Sequence, residues 1–258
     1  MDMDRVRRKI CKLCRKPPTK FVKAHAGIAR SFFHEFRGAD VNSVLVNVSG
    51  VGKLSRRIQA GVWDDQILCS DCEAKFSDLD DYGFKILGKP DLSQPYFDHN
   101  FQLVGYWIKC DTDKLRRFIL SSLWRASVSE IPEYRKLHLG IYETPIINRV
   151  FDSPPLRPDE YPTSVLYLDK DYLGKGIQMI FQPLTNKLSS GGLMCFLYLS
   201  PRLKVIITMG DSSCLFQSEH FLVNKPGQFL MPFVPKEWPN AEAGYVRHIH
   251  QGIKKLRG

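Results

Sequence analysis

Cys11-Lys12-Leu13-Cys14 and Cys69-Ser70-Asp71-Cys72, separated by fifty-four residues, are the stretches that decide how this chain folds. Each Cys-x-x-Cys offers two thiolates from one tight turn. Two such turns supply the four sulfurs of the tetrahedron that structural zinc prefers, at about 2.3 Å per Zn–S bond. The spacing therefore predicts a Zn²⁺ site built from Cys11, Cys14, Cys69 and Cys72. A bound ion would close the long loop between the two halves and hold both segments together. Seven cysteines, an odd number with four in paired spacing, fit metal binding in a reducing cytoplasm better than a disulfide scaffold. Cys110, Cys195 and Cys214 read as small buried hydrophobes.

The 258 residues are 43% apolar and 25% charged, which is ordinary for a globular chain and allows one or two domains. No apolar run reaches the roughly 18 residues of a membrane span. The first nine residues are charged without the apolar core of a secretory signal, so a cytoplasmic protein with no membrane partner is expected. The net charge of +10 is unevenly spread. Residues 1–57 hold fourteen Lys/Arg against four Asp/Glu, whereas residues 58–98 hold three against nine. A basic arm ahead of an acidic cluster points to a polyanionic partner, nucleic acid above all, and to a divalent cation near the carboxylates.

Read in order, the chain predicts an α+β fold in three parts: a zinc-stapled module over 1–98, a helical connector over 99–155, and a β-rich region over 156–258 that ends in a basic helix. In the first part, Thr19–Ala24 reads as a short strand that delivers His25, and Gly27–Arg37 as a helix. Val41–Val48 and Lys53–Trp63 read as the arms of a hairpin. Ser70 and Glu73 have the spacing of a capping box, so a helix is expected from the second cysteine turn through Phe76, Leu79 and Tyr82. Residues 89–106 read as an irregular linker. Leu115, Phe118, Ile119, Ser122, Leu123 and Ala126 share one face of a predicted amphipathic helix, and Thr144-Pro145 marks the start of another. Strands are expected at Ser164–Leu168, Ile177–Leu184, Gly192–Leu199, Leu203–Met209, Glu219–Val223 and Phe229–Phe233, and a basic helix over Ala241–Leu256.

The order of a Cys-x-x-Cys, a His after a short strand, then Leu68-Cys69-Ser70-Asp71-Cys72 opening a helix resembles the zinc-bearing HNH (His-Asn-His) endonucleases. The resemblance is closer to a bacterial subgroup whose catalytic motif is degenerate, and the matching stretches are Lys23-Ala24-His25, Ile67 through Glu73, and Ser122-Leu123-Trp124-Arg125-Ala126-Ser127. The resemblance implies a ββα-metal, treble-clef-like fold for the first module. It also implies hydrolysis of phosphodiesters, DNA rather than RNA being the favoured polymer, with bacterial anti-phage defence as a setting. On that resemblance His25 matches the general base, Asp64 the central Asn that steadies the base, and Glu73 the terminal metal-binding His. A carboxylate at the last position suits Mg²⁺ or Mn²⁺, and an imidazole that titrates near neutrality suits proton abstraction. Arg7, Arg8, Lys12, Lys16, Arg56 and Arg57 are the candidate phosphate contacts.

The sequence departs from the family pattern at Ala24, Asp64 and Glu73, so a second reading stands beside the first. In it the zinc builds only a rigid module that binds nucleic acid or docks a protein, a further copy of the chain or a larger effector complex included. Glu73 is then a helix-capping residue, Trp124 and Arg125 are core and salt-bridge residues, and Asp64, Asp65, Asp78, Asp80 and Asp81 are mostly solvated helix-end charges, one of which could complete a cation site.

Overall fold

The computed structural model describes residues 10–26, 32, 44–48, 54–57, 63–152, 154–169, 177–181, 183–189, 191–200, 202–210, 222–223 and 226–235. Four short strands come first: β1 (Ala24–His25), β2 (Val44–Val48), β3 (Leu54–Arg57) and β4 (Trp63–Asp64). β1 and β4 pair antiparallel, with Ala24 opposite Asp64 and His25 opposite Trp63. β2 and β3 form the expected antiparallel pair, and β2 also pairs in parallel with β8 (Ile177–Phe181) from the second half of the chain.

Directly after the second cysteine turn come helix α1 (Ser70–Ala74) and helix α2 (Ser77–Gly83), the latter continued by a π-type turn over Phe84–Gly88. The capping box does not form. Cys69 occupies the N-cap, Ser70 already lies inside the helix, and its hydroxyl bonds the Asp71 carboxylate instead. The stretch read as a linker holds β5 (Pro95–Phe97) and the first part of β6 (Leu103–Lys109).

Helix α3 (Thr112–Val128) is capped by Asp111, whose carboxylate accepts the Lys114 backbone N–H at 3.0 Å. Its expected apolar face is buried, and so are Arg116 and Arg125. Two helices flank it. Gly83 lets α2 approach closely, because a Cβ there would collide with the Phe118 ring. On the other side lies α4 (Glu143–Phe151), which begins one residue before Thr144 and is entered through a tight turn at Gly140–Tyr142.

The remaining strands are β7 (Thr163–Leu168), β8, β9 (Leu184–Lys187), β10 (Leu193–Ser200), β11 (Leu203–Met209) and β12 (Gln228–Val234). Seven strands form one sheet in the order β5-β6-β12-β7-β11-β10-β9, antiparallel throughout except for the parallel β12–β7 pair. This sheet takes strands from all three sequence segments, and every residue of β7 and β11 is buried. Leu222 and Val223 lie in a turn rather than a strand. Phe32, within the Gly27–Arg37 stretch, is helical and buried against Phe84 and Phe118. The rest of that stretch and Ala241–Leu256 lie outside the described residues. The chain is mixed α+β, and none of its described helices is long and apolar enough to cross a membrane.

Candidate metal centre

The two cysteine turns meet. The ligand atoms of Cys11, Cys14, Cys69 and Cys72 all lie within 4.8 Å of one another, Cys11 and Cys72 buried and the other two half-buried. Sulfurs about 2.3 Å from a tetrahedrally bound ion stand about 3.8 Å apart, so the cluster has the size and donor set of a zinc site and could hold such a metal. Backbone hydrogen bonds shape it. In the first turn Arg15 donates to the Cys11 carbonyl at 2.9 Å and takes a positive φ of 58°. In the second, Glu73 donates to the Cys69 carbonyl at 2.9 Å. The halves are laced together by Lys12 N–H to Ile67 O at 2.8 Å and Val22 N–H to Leu68 O at 3.1 Å.

The thiols behave as a group. Burial pushes Cys11 up, but backbone N–H groups of Cys14, Cys69 and Leu13 directed at its sulfur more than offset this and bring it down to about 7. Cys72 is pushed up by burial and by the three neighbouring thiols, Cys11's charge included. A cation at the centre removes that mutual repulsion and lets all four ionise.

His25 and Glu73 are brought together as well. The His25 backbone N–H donates to the Glu73 carboxylate, so the helix after the second turn is tied to β1. Burial pushes the Glu73 carboxyl up; the positive charge of Arg125 pulls it down, Asp80 raises it, and the His25 N–H lowers it. Glu73 Oε2 and His25 Nδ1 are both buried. Asp64 is 5% exposed and engaged on both oxygens, accepting Gln66 N–H at 2.8 Å on one and the Ser129 hydroxyl at 2.8 Å and Glu130 N–H on the other. It joins β4 to the end of α3.

Behind Glu73 stands an ion pair that the reading of Asp80 as a solvated helix-end charge misses. Arg125, with no exposed surface, donates to both Asp80 oxygens at 2.8 and 2.5 Å and stacks over Phe76 at 4.9 Å. Burial opposes its charge, and Asp80 more than offsets this. The signal was the Trp124-Arg125 step on an otherwise apolar helix face, but nothing local names Asp80 as the partner. Asp78 is also paired, with Lys114 at 2.7 Å.

Among the expected phosphate contacts, Lys16 is exposed and Lys12 is paired with Glu130 at 2.9 Å. Arg7 and Arg8, and the side chains of Arg56 and Arg57, lie outside the described residues. Arg15, Lys20 and Lys23, not singled out from sequence, are exposed on the same segment, with Lys23 over the Trp63 ring at 4.4 Å. Comparison of the chain with protein-family models, curated proteins and solved structures finds no match.

Proposed function

We propose that the cysteine-stapled part of the chain is a nucleic-acid-binding module, held rigid by Zn²⁺, on a scaffold of HNH type. The observation that carries this reading is the run from Ile10 to Ala26, which has five basic residues and no acid. Arg15, Lys16, Lys20 and Lys23 stand exposed on a segment fixed by the metal cluster, and none is paired with an acid among the described residues. A fixed cationic face suits the phosphate backbone, a contact that positions without reading sequence. Asp64, meanwhile, spends both its oxygens on the fold, which suits binding better than cutting.

The test is electrophoretic retention of duplex DNA across a salt series. Each phosphate contact contributes a slope of about −0.9 in log K against log salt. Wild type binds at low salt, and changing Lys16, Lys20 and Lys23 together to Ala lowers the slope by about 2–3. No retention at low salt, or an unchanged slope, overturns the reading.

The contact between the His25 backbone and Glu73 favours a second reading, a metal-dependent endonuclease with His25 as base and a Mg²⁺ or Mn²⁺ ion at Glu73. Plasmid nicking that requires the divalent ion and is abolished in His25→Ala, with zinc content unchanged, replaces the binding reading with the catalytic one.

A further inference from the structure

Beside the first cysteine turn the fold leaves a cleft of about 480 Å³, within the roughly 300–1,000 Å³ range of small-molecule sites. It lies between that turn, the end of α3 and the start of α4, and none of the four clustered cysteines lines it. Lys12 and Glu130 both line it, but they neutralise one another at 2.9 Å. What remains is two guanidinium groups, Arg15 and Arg135, both exposed and neither paired with an acid among the described residues. His138 adds a further donor. Tyr134 and Leu137, both buried, supply an apolar floor, and Glu143 lines the cleft as a hydrogen-bond acceptor.

Two guanidiniums match a phosphoryl group, whose oxygens accept their paired donors. An acceptor and an apolar surface in the same cleft match a sugar hydroxyl or base N–H and a base face. We propose that this cleft is a nucleotide site in which Arg15 and Arg135 hold the phosphate and Glu143 accepts from the nucleoside. The choice of ligand rests on the nucleic-acid reading above. The phosphate can belong to a free nucleotide or to the 5′ end of a strand.

The test uses the full chain and three probes: thymidine 5′-monophosphate, a 5′-phosphorylated thymidine trinucleotide and its 5′-hydroxyl twin. Titration calorimetry is expected to give a preference of about tenfold or more for the phosphorylated trinucleotide over its twin. Arg15→Ala and Arg135→Ala each erase that preference, and Lys187→Ala, exposed on the edge strand β9 and outside the cleft, keeps it. Competition by the monophosphate identifies a free nucleotide as a sufficient occupant; binding of the phosphorylated trinucleotide alone identifies a strand end. Equal affinity for the twins, or a preference that survives Arg135→Ala with an unchanged circular dichroism spectrum, overturns the site. Duplex retention separates the two ideas. If Arg135→Ala still retains duplex while no probe shows the preference, the cleft falls and the basic face stands. If duplex is never retained while the monophosphate binds through Arg135, the reverse holds.

Discussion

Arg125 ties α3 to α2 behind Glu73. It is buried with both carboxylate oxygens of Asp80 as partners and Glu73 within electrostatic reach. Removing a buried cation leaves carboxylates without their counter-charge, which costs about 3–5 kcal/mol. Arg125→Leu is therefore expected to lose stability on that scale in urea denaturation, and Arg125→Leu with Asp80→Leu to recover part of it. A loss below about 1 kcal/mol in the single variant would mean that water reaches the pair. A second residue reads out through pH. Glu160 is held below the usual carboxylate range, first by hydrogen bonds from Arg149, 2.9 Å away, against an opposing push from burial. A folded value below the unfolded one of about 4.3 means that the stabilisation is present above that pH and is lost as pH falls through the depressed value. The stability difference between wild type and Glu160→Gln should be largest near neutrality and shrink steadily below about pH 4. A difference that grows on acidification would contradict the ion pair. Sequence could mark Arg125 as a salt-bridge residue, since a buried guanidinium needs an acid. It could not choose Asp80 from the acids around it, because that choice is made by how two helices pack.

Among the elements, α3 was the most legible, because its helical periodicity is a local property, although its Asp111 cap was not read from the sequence. Asp111→Ala should cost about 1 kcal/mol in the same denaturation assay, the usual value of an N-cap; no change would show that the cap bond is not formed in solution. Gly83 makes a stronger case at this scale. Its missing side chain is what lets α2 meet Phe118, so Gly83→Ala overpacks the contact and should destabilise by about 1–3 kcal/mol despite the better helix propensity of alanine. A stabilised Gly83→Ala protein would mean that α2 and Phe118 separate easily. The failures have physical reasons too. Ser70 and Glu73 have capping-box spacing, but the cysteine turn already supplies the N-cap at Cys69, one residue earlier. The β6 strand was missed although Val104, Tyr106, Trp107 and Ile108 are good strand formers. Its partner β12 lies more than a hundred residues downstream, and prolines and aspartates nearby disguise the run.

For the whole molecule, the Cys-x-x-Cys pairs were readable because tetrahedral coordination demands four donors, whereas the sheet order was not. Nothing local announces that β12 runs parallel beside β7, or that β2 pairs with β8 across about half of the chain. These two levels of organisation differ in what holds them, and metal removal separates them. The segment from Ile10 to Ala26 reaches the rest of the described backbone through bonds to Ile67 and Leu68, a bridge at Cys69 and the two-residue β1–β4 ladder. That is little support for seventeen residues, whereas apparent binding free energies of about 10–16 kcal/mol are typical of structural zinc in small domains. The seven-stranded sheet is held by its own ladders and contains none of the four ligands. Elemental analysis is accordingly expected to find one zinc per chain, and Cys69→Ser with Cys72→Ser to abolish it. Without metal, trypsin should cut first after Arg15, Lys20 and Lys23, at least about tenfold faster than in the loaded protein, while the far-ultraviolet strand signal persists. If the double variant keeps its zinc, or if stripping the metal leaves those three sites as resistant as before, the sulfur cluster is not what fastens the basic face to the sheet.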